Sequence, residues 1–188
     1  VPETEAPRRI HITGASGSGT TTLGRALANQ LGLSHFDTDD VYWRPTALPF
    51  REKRPEAERL ALLDALLGQR RAFVLSGSIS GWGGPIEERF DLAVLLRVAT
   101  PIRLERLRAR EELRHGAAAI GAGGWRESPL VAFLDWAARY DDPDFTGRSL
   151  SGHQAWLAGL DCPVLTLDGT RPVAELIASV RGALCAPR

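Results

Sequence analysis

The strongest constraint on how this chain can fold lies between residues 8 and 32. The run "RRIHITG" (Arg8–Gly14) reads as a strand, and it enters a turn with glycines at positions 14, 17 and 19. In "TTTLGRALANQL" (Thr20–Leu31), Leu23, Leu27 and Leu31 recur every four residues, so they share one face of a helix that Gly32 ends. A strand feeding a helix through a tight turn demands a crossover. The helix packs back on the sheet and returns the chain to a second, parallel strand.

The same alternation continues. "SHFDTD" predicts a short second strand, and Arg54–Gln69 a helix with Pro55 at its start and Gly68 near its end. "AFVLSG" and "DLAVLLRV" are compact apolar strands of the buried parallel type. Pro101 opens a helix to about His115, and "HGAAAIGAGG" is expected to be a mobile glycine-rich segment. A helix over Ser128–Tyr140, capped by Ser128 with Pro129 first, follows. "CPVLTLDG" is the last strand and Pro172–Leu184 the closing helix. The expected class is α/β, a three-layer α/β/α sandwich around a five-stranded parallel sheet. The 188 residues, 44% of them hydrophobic, fit one domain with a sizeable core over 1–188.

Gly14 and Gly19 have the spacing of the phosphate loop, G-x-x-x-x-G-K-S/T. There, backbone N–H groups cradle phosphate oxygens at a helix N-terminus, and the lysine reaches the β- and γ-phosphates. Here Thr20 stands in the lysine position and Thr21 follows. The cradle needs glycines and geometry, not the lysine. On this reading Gly14, Ala15, Ser16, Gly17, Ser18, Gly19, Thr20, Thr21 and Thr22 bind ATP, and the Thr21 hydroxyl faces Mg²⁺. Two other readings compete. A dinucleotide fold would use Gly17 and Gly19 with Asp37 or Asp39 downstream, but Thr22 occupies the place of the third glycine. The tyrosine–lysine pair of a short-chain reductase is also missing, since Pro49 stands four residues before Lys53. A turn without ligand would place four glycines between positions 14 and 24 for no gain in packing.

Net charge is zero, which argues against bulk attraction to nucleic acid or an anionic membrane, and no apolar run reaches spanning length. "VPETEAPRR" has acids and no apolar core, unlike a secretory signal. Cys162 and Cys185 form no C-x-x-C pattern, so a reducing cytoplasm is expected, with the chain a monomer or homodimer. All 23 basic residues except Lys53 are arginines, so the missing loop charge must come from Mg²⁺ and arginine. In "PIRLERLRAREELRHG", Arg103, Arg106, Arg110 and Arg114 follow spacings that share one helix face, and Arg108 falls off it. Such a stripe repels itself unless an anion is present, although Glu105, Glu111 and Glu112 offer ordinary surface partners. Arg106 and Arg110 are favoured for phosphate because their helix begins just past a strand's carboxyl end.

These residues resemble the nucleoside monophosphate kinase and shikimate kinase branch of the P-loop kinases. "GASGSGTTTLGRALANQLGLSHFDTD" is similar to the opening of shikimate and other small-molecule kinases, and "LLRVATPIRLERLRARE" to the strand and R-x-x-x-R helix of adenylate-kinase-like enzymes. The resemblance implies an ATP- and Mg²⁺-dependent phosphotransferase, with Arg106 beside the adenine and Arg110 on phosphate. "LTLDGTRPVAEL" resembles their adenine-side loop, which implies Gly169, Thr170 and Pro172 as neighbours of the base. Residues 111–126 would form a reduced lid and residues 40–70 the acceptor region. A G-S-G-T-T-T loop resembles that of archaeal cytidylate kinases, so the threonine does not imply a dead loop. A nucleoside monophosphate is the favoured acceptor. A shikimate-kinase-like alcohol acceptor, or a nucleotide-binding regulatory domain with little turnover, is the alternative.

On the acceptor side, Asp37 and Asp39 share a face if the second strand persists, and can serve Mg²⁺ or orient an acceptor hydroxyl; Asp40 points away. Asp37 is the metal candidate beside Thr21. Tyr42 and Trp43 can stack on a base or sugar, or pack in the core. Arg51 and Arg54, with Arg44 and Lys53, form a basic cluster suited to an acceptor phosphate or to a solvated loop. Ser76, Gly77 and Ser78 follow the third strand and face the same cleft. His11 is a core residue; His35, His115 and His153 have no metal spacing. Arg148, after the acids Asp135, Asp141, Asp142 and Asp144, is a further cation able to close over phosphate.

Overall fold

The computed structural model describes residues 8–47 and 49–185; positions 1–7, where most of the signal-peptide reading falls, lie outside the described residues. Strands β1 (Arg8–Gly14), β2 (His35–Asp37), β3 (Ala72–Ser76), β4 (Leu92–Arg97) and β5 (Val164–Asp168) form one sheet of order β2-β3-β1-β4-β5. Every pairing is parallel. Around it lie helices α1 (Thr20–Leu31), α2 (Thr38–Tyr42), α3 (Glu56–Leu67), α4 (Thr100–His115), α5 (Ala117–Ile120), α6 (Glu127–Ala138), α7 (Leu150–Ala158) and α8 (Val173–Cys185).

Period-two alternation sorts the strand residues between two layers. Ile10, Ile12, Val74, Leu92, Val94 and Leu96 pack with Leu23 and Leu27 of α1 and Leu176, Ile177 and Val180 of α8. The other face carries Phe73 and Leu75 against Leu63 and Leu67 of α3, and Ala93 and Leu95 against Leu157 of α7. His11 points to this second face, fully buried, its ring stacked 4.8 Å from Phe90. The three-layer expectation holds.

The register aligns the strands' carboxyl ends: Ser76 lies opposite both Ile12 and Asp37, and Gly14 opposite Leu96. The loops after all five strands therefore open on one edge of the sheet, where ligands bind in such folds.

Four local expectations change. Strand β2 ends at Asp37, because its carboxylate accepts a hydrogen bond from Asp39 N (3.1 Å) and caps α2. Asp37 and Asp39 are thus cap and first-turn residues, not strand neighbours on one face. Helix α6 begins at Glu127, so Ser128 is inside it, and Pro129 still falls in the first turn, where no N–H is needed. The glycine-rich segment forms α5, with Ala119 and Ile120 buried and an Arg126–Glu111 ion pair of 2.8 Å alongside. Helix α7 was not expected; its one sequence cue is Ser149, whose Oγ accepts from Gly152 N.

Candidate active site

The glycine loop curls over the carboxyl end of β1. Gly17 has φ 83°, and a Cβ there would sit 2.7 Å from the Arg103 carbonyl, so the close approach of loop to α4 requires glycine. Gly19, also left-handed at φ 97°, leads into α1 with no side-chain cap. The first N–H groups of α1, including that of Thr20, therefore have no intrahelical partner. The Ser18 hydroxyl is buried beside Gly14 without a hydrogen-bond partner.

Beside the loop, Thr21 Oγ1 donates to Asp37 Oδ2 at 2.7 Å, and Ser76 Oγ donates to the same oxygen at 3.2 Å. Ser76 Oγ, having spent its hydrogen, accepts from His35 Nε2 at 2.8 Å. Asp37, Thr21 and Ser76 form one hydrogen-bonded network. Among the described residues no group of three His, Cys, Asp or Glu could hold a metal ion. A site of one carboxylate and one hydroxyl fits a cation that takes its other ligands from water and phosphate.

Asp39 is open to solvent, yet protein on several sides raises its pKa above 3.8, with repulsion from Asp37 adding to that burial. Arg148, Trp43 and Arg110 act in the opposite direction on Asp39. Arg148 Nη2 donates to Ser16 Oγ at 2.6 Å, and its guanidinium lies 5.1 Å from the Trp136 ring. Burial lowers the pKa of Arg110, as does Arg114.

The arginine stripe divides into separate roles. Arg103 is fully buried and bonds Val98 O, Ala137 O, Thr100 Oγ1 and Asp141 Oδ2. It is structural and leaves the expected stripe. Arg106 donates through both terminal nitrogens to Gly169 O at 3.2 Å. It borders a cavity of about 200 Å³ walled by Gly19, Thr22, Leu23, Leu96 and Gly169. Thr170 and Pro172 do not line that cavity, whereas Arg171 and Val173 do. The Thr170 hydroxyl turns back to Asp168 Oδ1 at 2.7 Å, because the end of β5 forms a local turn.

Tyr42 and Trp43 meet edge to face at 5.0 Å, with Arg59 stacked 4.3 Å from the Tyr42 ring. Arg54 is held by the Tyr42 carbonyl and lies 3.9 Å from Glu58, and Arg51 is exposed. Neither is among the groups acting on Asp39. Gly77 has φ 107° and leaves no room for a Cβ beside the Thr38 hydroxyl. Ser78 points inward, its Oγ 3.0 Å from His153 Nε2, while Tyr140 OH meets His153 Nδ1 at 2.8 Å. Sequence spacing gave no signal for this relay, since 75 residues separate Ser78 from His153.

Burial holds His153 neutral, with its pKa lowered from 6.5 to about 4. The unfolded chain therefore takes up a proton that the folded chain refuses. The stability this histidine contributes is complete above pH 6.5 and is lost as pH falls toward 4. A loss of about 2 kcal/mol by pH 5 is expected from this residue alone. Buried His11, its pKa lowered to about 3, adds its own loss in the same window, so denaturant midpoints from pH 7.5 to 5 are compared between the parent and His153→Phe; equal pH slopes reject the His153 contribution.

The AAA domain family matches residues 10–119. The uncharacterized protein YqaC of Bacillus subtilis is 42% identical over 170 residues, 90% of this chain and 93% of that one. A cytidylate kinase of Archaeoglobus fulgidus is 29% identical over 55% of this chain and 62% of its own length. Among solved structures, shikimate kinase from Aquifex aeolicus superposes with a TM-score of 0.54 at 16% identity, covering 94% of this chain and 95% of that one. Among the described residues, no helix is long and apolar enough to cross a membrane. The match over residues 10–119 spans more than half of the chain, and the chain belongs to the AAA-domain family of P-loop proteins.

Proposed function

We propose that the protein is an ATP-dependent kinase that phosphorylates a small molecule, with a hydroxyl oxygen as the attacking group. The observation that carries this is the 2.7 Å hydrogen bond from Thr21 to Asp37, which ties the helix after the loop to the end of β2 and sets the solvent-open Asp39 two residues on. A carboxylate so placed can take the proton of an acceptor hydroxyl. The loop and the N-terminus of α1 would hold the ATP phosphates, with the base in the cavity beside Arg106 and Gly169. Thr21 and Asp37 would hold Mg²⁺, which supplies charge neutralisation at the β- and γ-phosphates. Residues 111–126 and 40–70 would serve as lid and acceptor region. Catalysis is then positioning plus electrostatic stabilisation.

A nucleoside monophosphate is the second reading, and likeness to archaeal cytidylate kinases favours it. There the attacking group is a phosphate oxygen and Asp39 holds a sugar hydroxyl instead. A coupled ADP-release assay across cytidine, adenosine and uridine monophosphates, shikimate and gluconate separates the two. Tight ATP binding without acceptor-dependent turnover would sink both.

The metal assignment has its own test. Thr21→Val keeps the shape of the side chain but removes the hydroxyl. It should raise the Mg²⁺ concentration for half-maximal activity roughly ten- to hundredfold. An unchanged Mg²⁺ dependence would remove Thr21 from the metal site.

A further inference from the structure

Thr20 leaves the loop without the positive charge that lysine supplies in the G-x-x-x-x-G-K-S/T pattern. We propose that Arg148 supplies it, so that the nucleotide's phosphates lie between the loop's N–H groups and a guanidinium delivered from the start of α7. This rests on the reading of the loop as a phosphate site.

Three observations carry the assignment. Arg148 alone of the candidate arginines touches a loop side chain, through Nη2 to Ser16 Oγ at 2.6 Å. Its Nε is shielded from solvent and has no hydrogen-bond partner, so a donor of the guanidinium fork remains unused. Its position is set firmly. The neighbouring Ser149 caps α7, and His153 in that helix is bonded on both ring nitrogens, to Ser78 and Tyr140.

Arg106 gives both terminal nitrogens to Gly169 O and reaches the loop only at the Gly17 carbonyl, at 3.5 Å, so it is held by backbone acceptors; Arg103 is spent inside the core. Arg110 interacts with Arg114, Glu111 and Asp39, and makes no hydrogen bond to the loop among the described residues. Asp39 is the favourable charge nearest in effect to Arg148. It opposes but does not satisfy the unused nitrogen. A triphosphate offers the acceptors that the fork lacks, in the bidentate geometry guanidinium prefers.

The test uses the full chain and reads nucleotide binding without acceptor. Calorimetry with Mg²⁺ compares ATP and adenosine on the parent, Arg148→Ala, Thr20→Lys and the double variant. Arg148→Ala should weaken ATP at least about tenfold and leave adenosine unchanged. Thr20→Lys should restore most of that loss in the Arg148→Ala background, because it returns the charge by the usual route. A loss below about threefold, an equal loss for ATP and adenosine, or no rescue overturns the proposal. If Arg148→Ala fails to fold by circular dichroism, Arg148→Gln is judged by the same ratio. If the parent binds ATP but phosphorylates no acceptor, the kinase reading falls and the ATP-to-adenosine ratio still decides Arg148. If the parent binds no ATP, both fall.

Discussion

Asp39→Asn is expected to bind ATP as the parent does and to transfer phosphoryl groups roughly a thousandfold more slowly. The substitution keeps the size of the side chain and removes its basicity. In the proposed reaction the acceptor oxygen bonds to the γ-phosphorus, the bond from that phosphorus to the bridging oxygen breaks, and ADP leaves. The hydroxyl proton goes to Asp39. Burial is the larger cause raising the proton affinity of Asp39, and it does not depend on the charge of Asp37, which suits that task. The same shift sets a pH dependence. Asp39 must be ionised to accept the proton, so parent activity should fall with decreasing pH through a value above 3.8. That acidic limb should vanish from the residual activity of Asp39→Asn. A rate within tenfold of the parent, with the limb intact, would assign the proton elsewhere and favour the phosphate-oxygen acceptor.

What the residues announced in advance, and what they hid, follows from the range of the forces involved. The loop, α1 and the five strands are specified by local chemistry. Gly17 and Gly19 supply the positive φ of the loop, apolar residues repeat at two or at about four, and Gly32 stops the first helix with φ 66°. Asp37 and Asp39 stand out in the sequence as candidates, but their geometry does not. Whether β2 continues past residue 37 depends on a single carboxylate capping α2. The arginine stripe misled for a related reason. Helical spacing puts Arg103 and Arg106 on one face, but it does not say that α6 would cover the first turn and bury Arg103. The partners of Arg148 and His153 were the least legible. Their contacts with Ser16 and Ser78 span 132 and 75 residues, which only the assembled sheet brings together.

Arg103→Ala should be the most destabilising single change in the α4–α6 region. Arg103 is 0% exposed, and its guanidinium holds two carbonyls, the Thr100 hydroxyl and the Asp141 carboxylate. Truncation strands those acceptors and opens a void at the base of α4. Removing one partner of a buried charged network costs about 3–5 kcal/mol. Asp141 is 42% exposed and can turn to water, so the lower end of that range is expected. Arg103→Met separates the two causes. It fills most of the void and still removes the guanidinium from the Val98 carbonyl and the Asp141 carboxylate. If it recovers little of the loss, hydrogen bonding dominates; if it recovers most, packing does. Urea midpoints of both variants decide this, and a cost below about 1 kcal/mol for Arg103→Ala would reject the structural role. The effect should also reach the loop. Gly17 closes on the Arg103 carbonyl, and α4 carries Arg106 and Arg110, so a loosened α4 start shifts the phosphate cradle and the base cavity together. ATP binding by the folded fraction should therefore weaken in Arg103→Ala even though its side chain never meets the nucleotide.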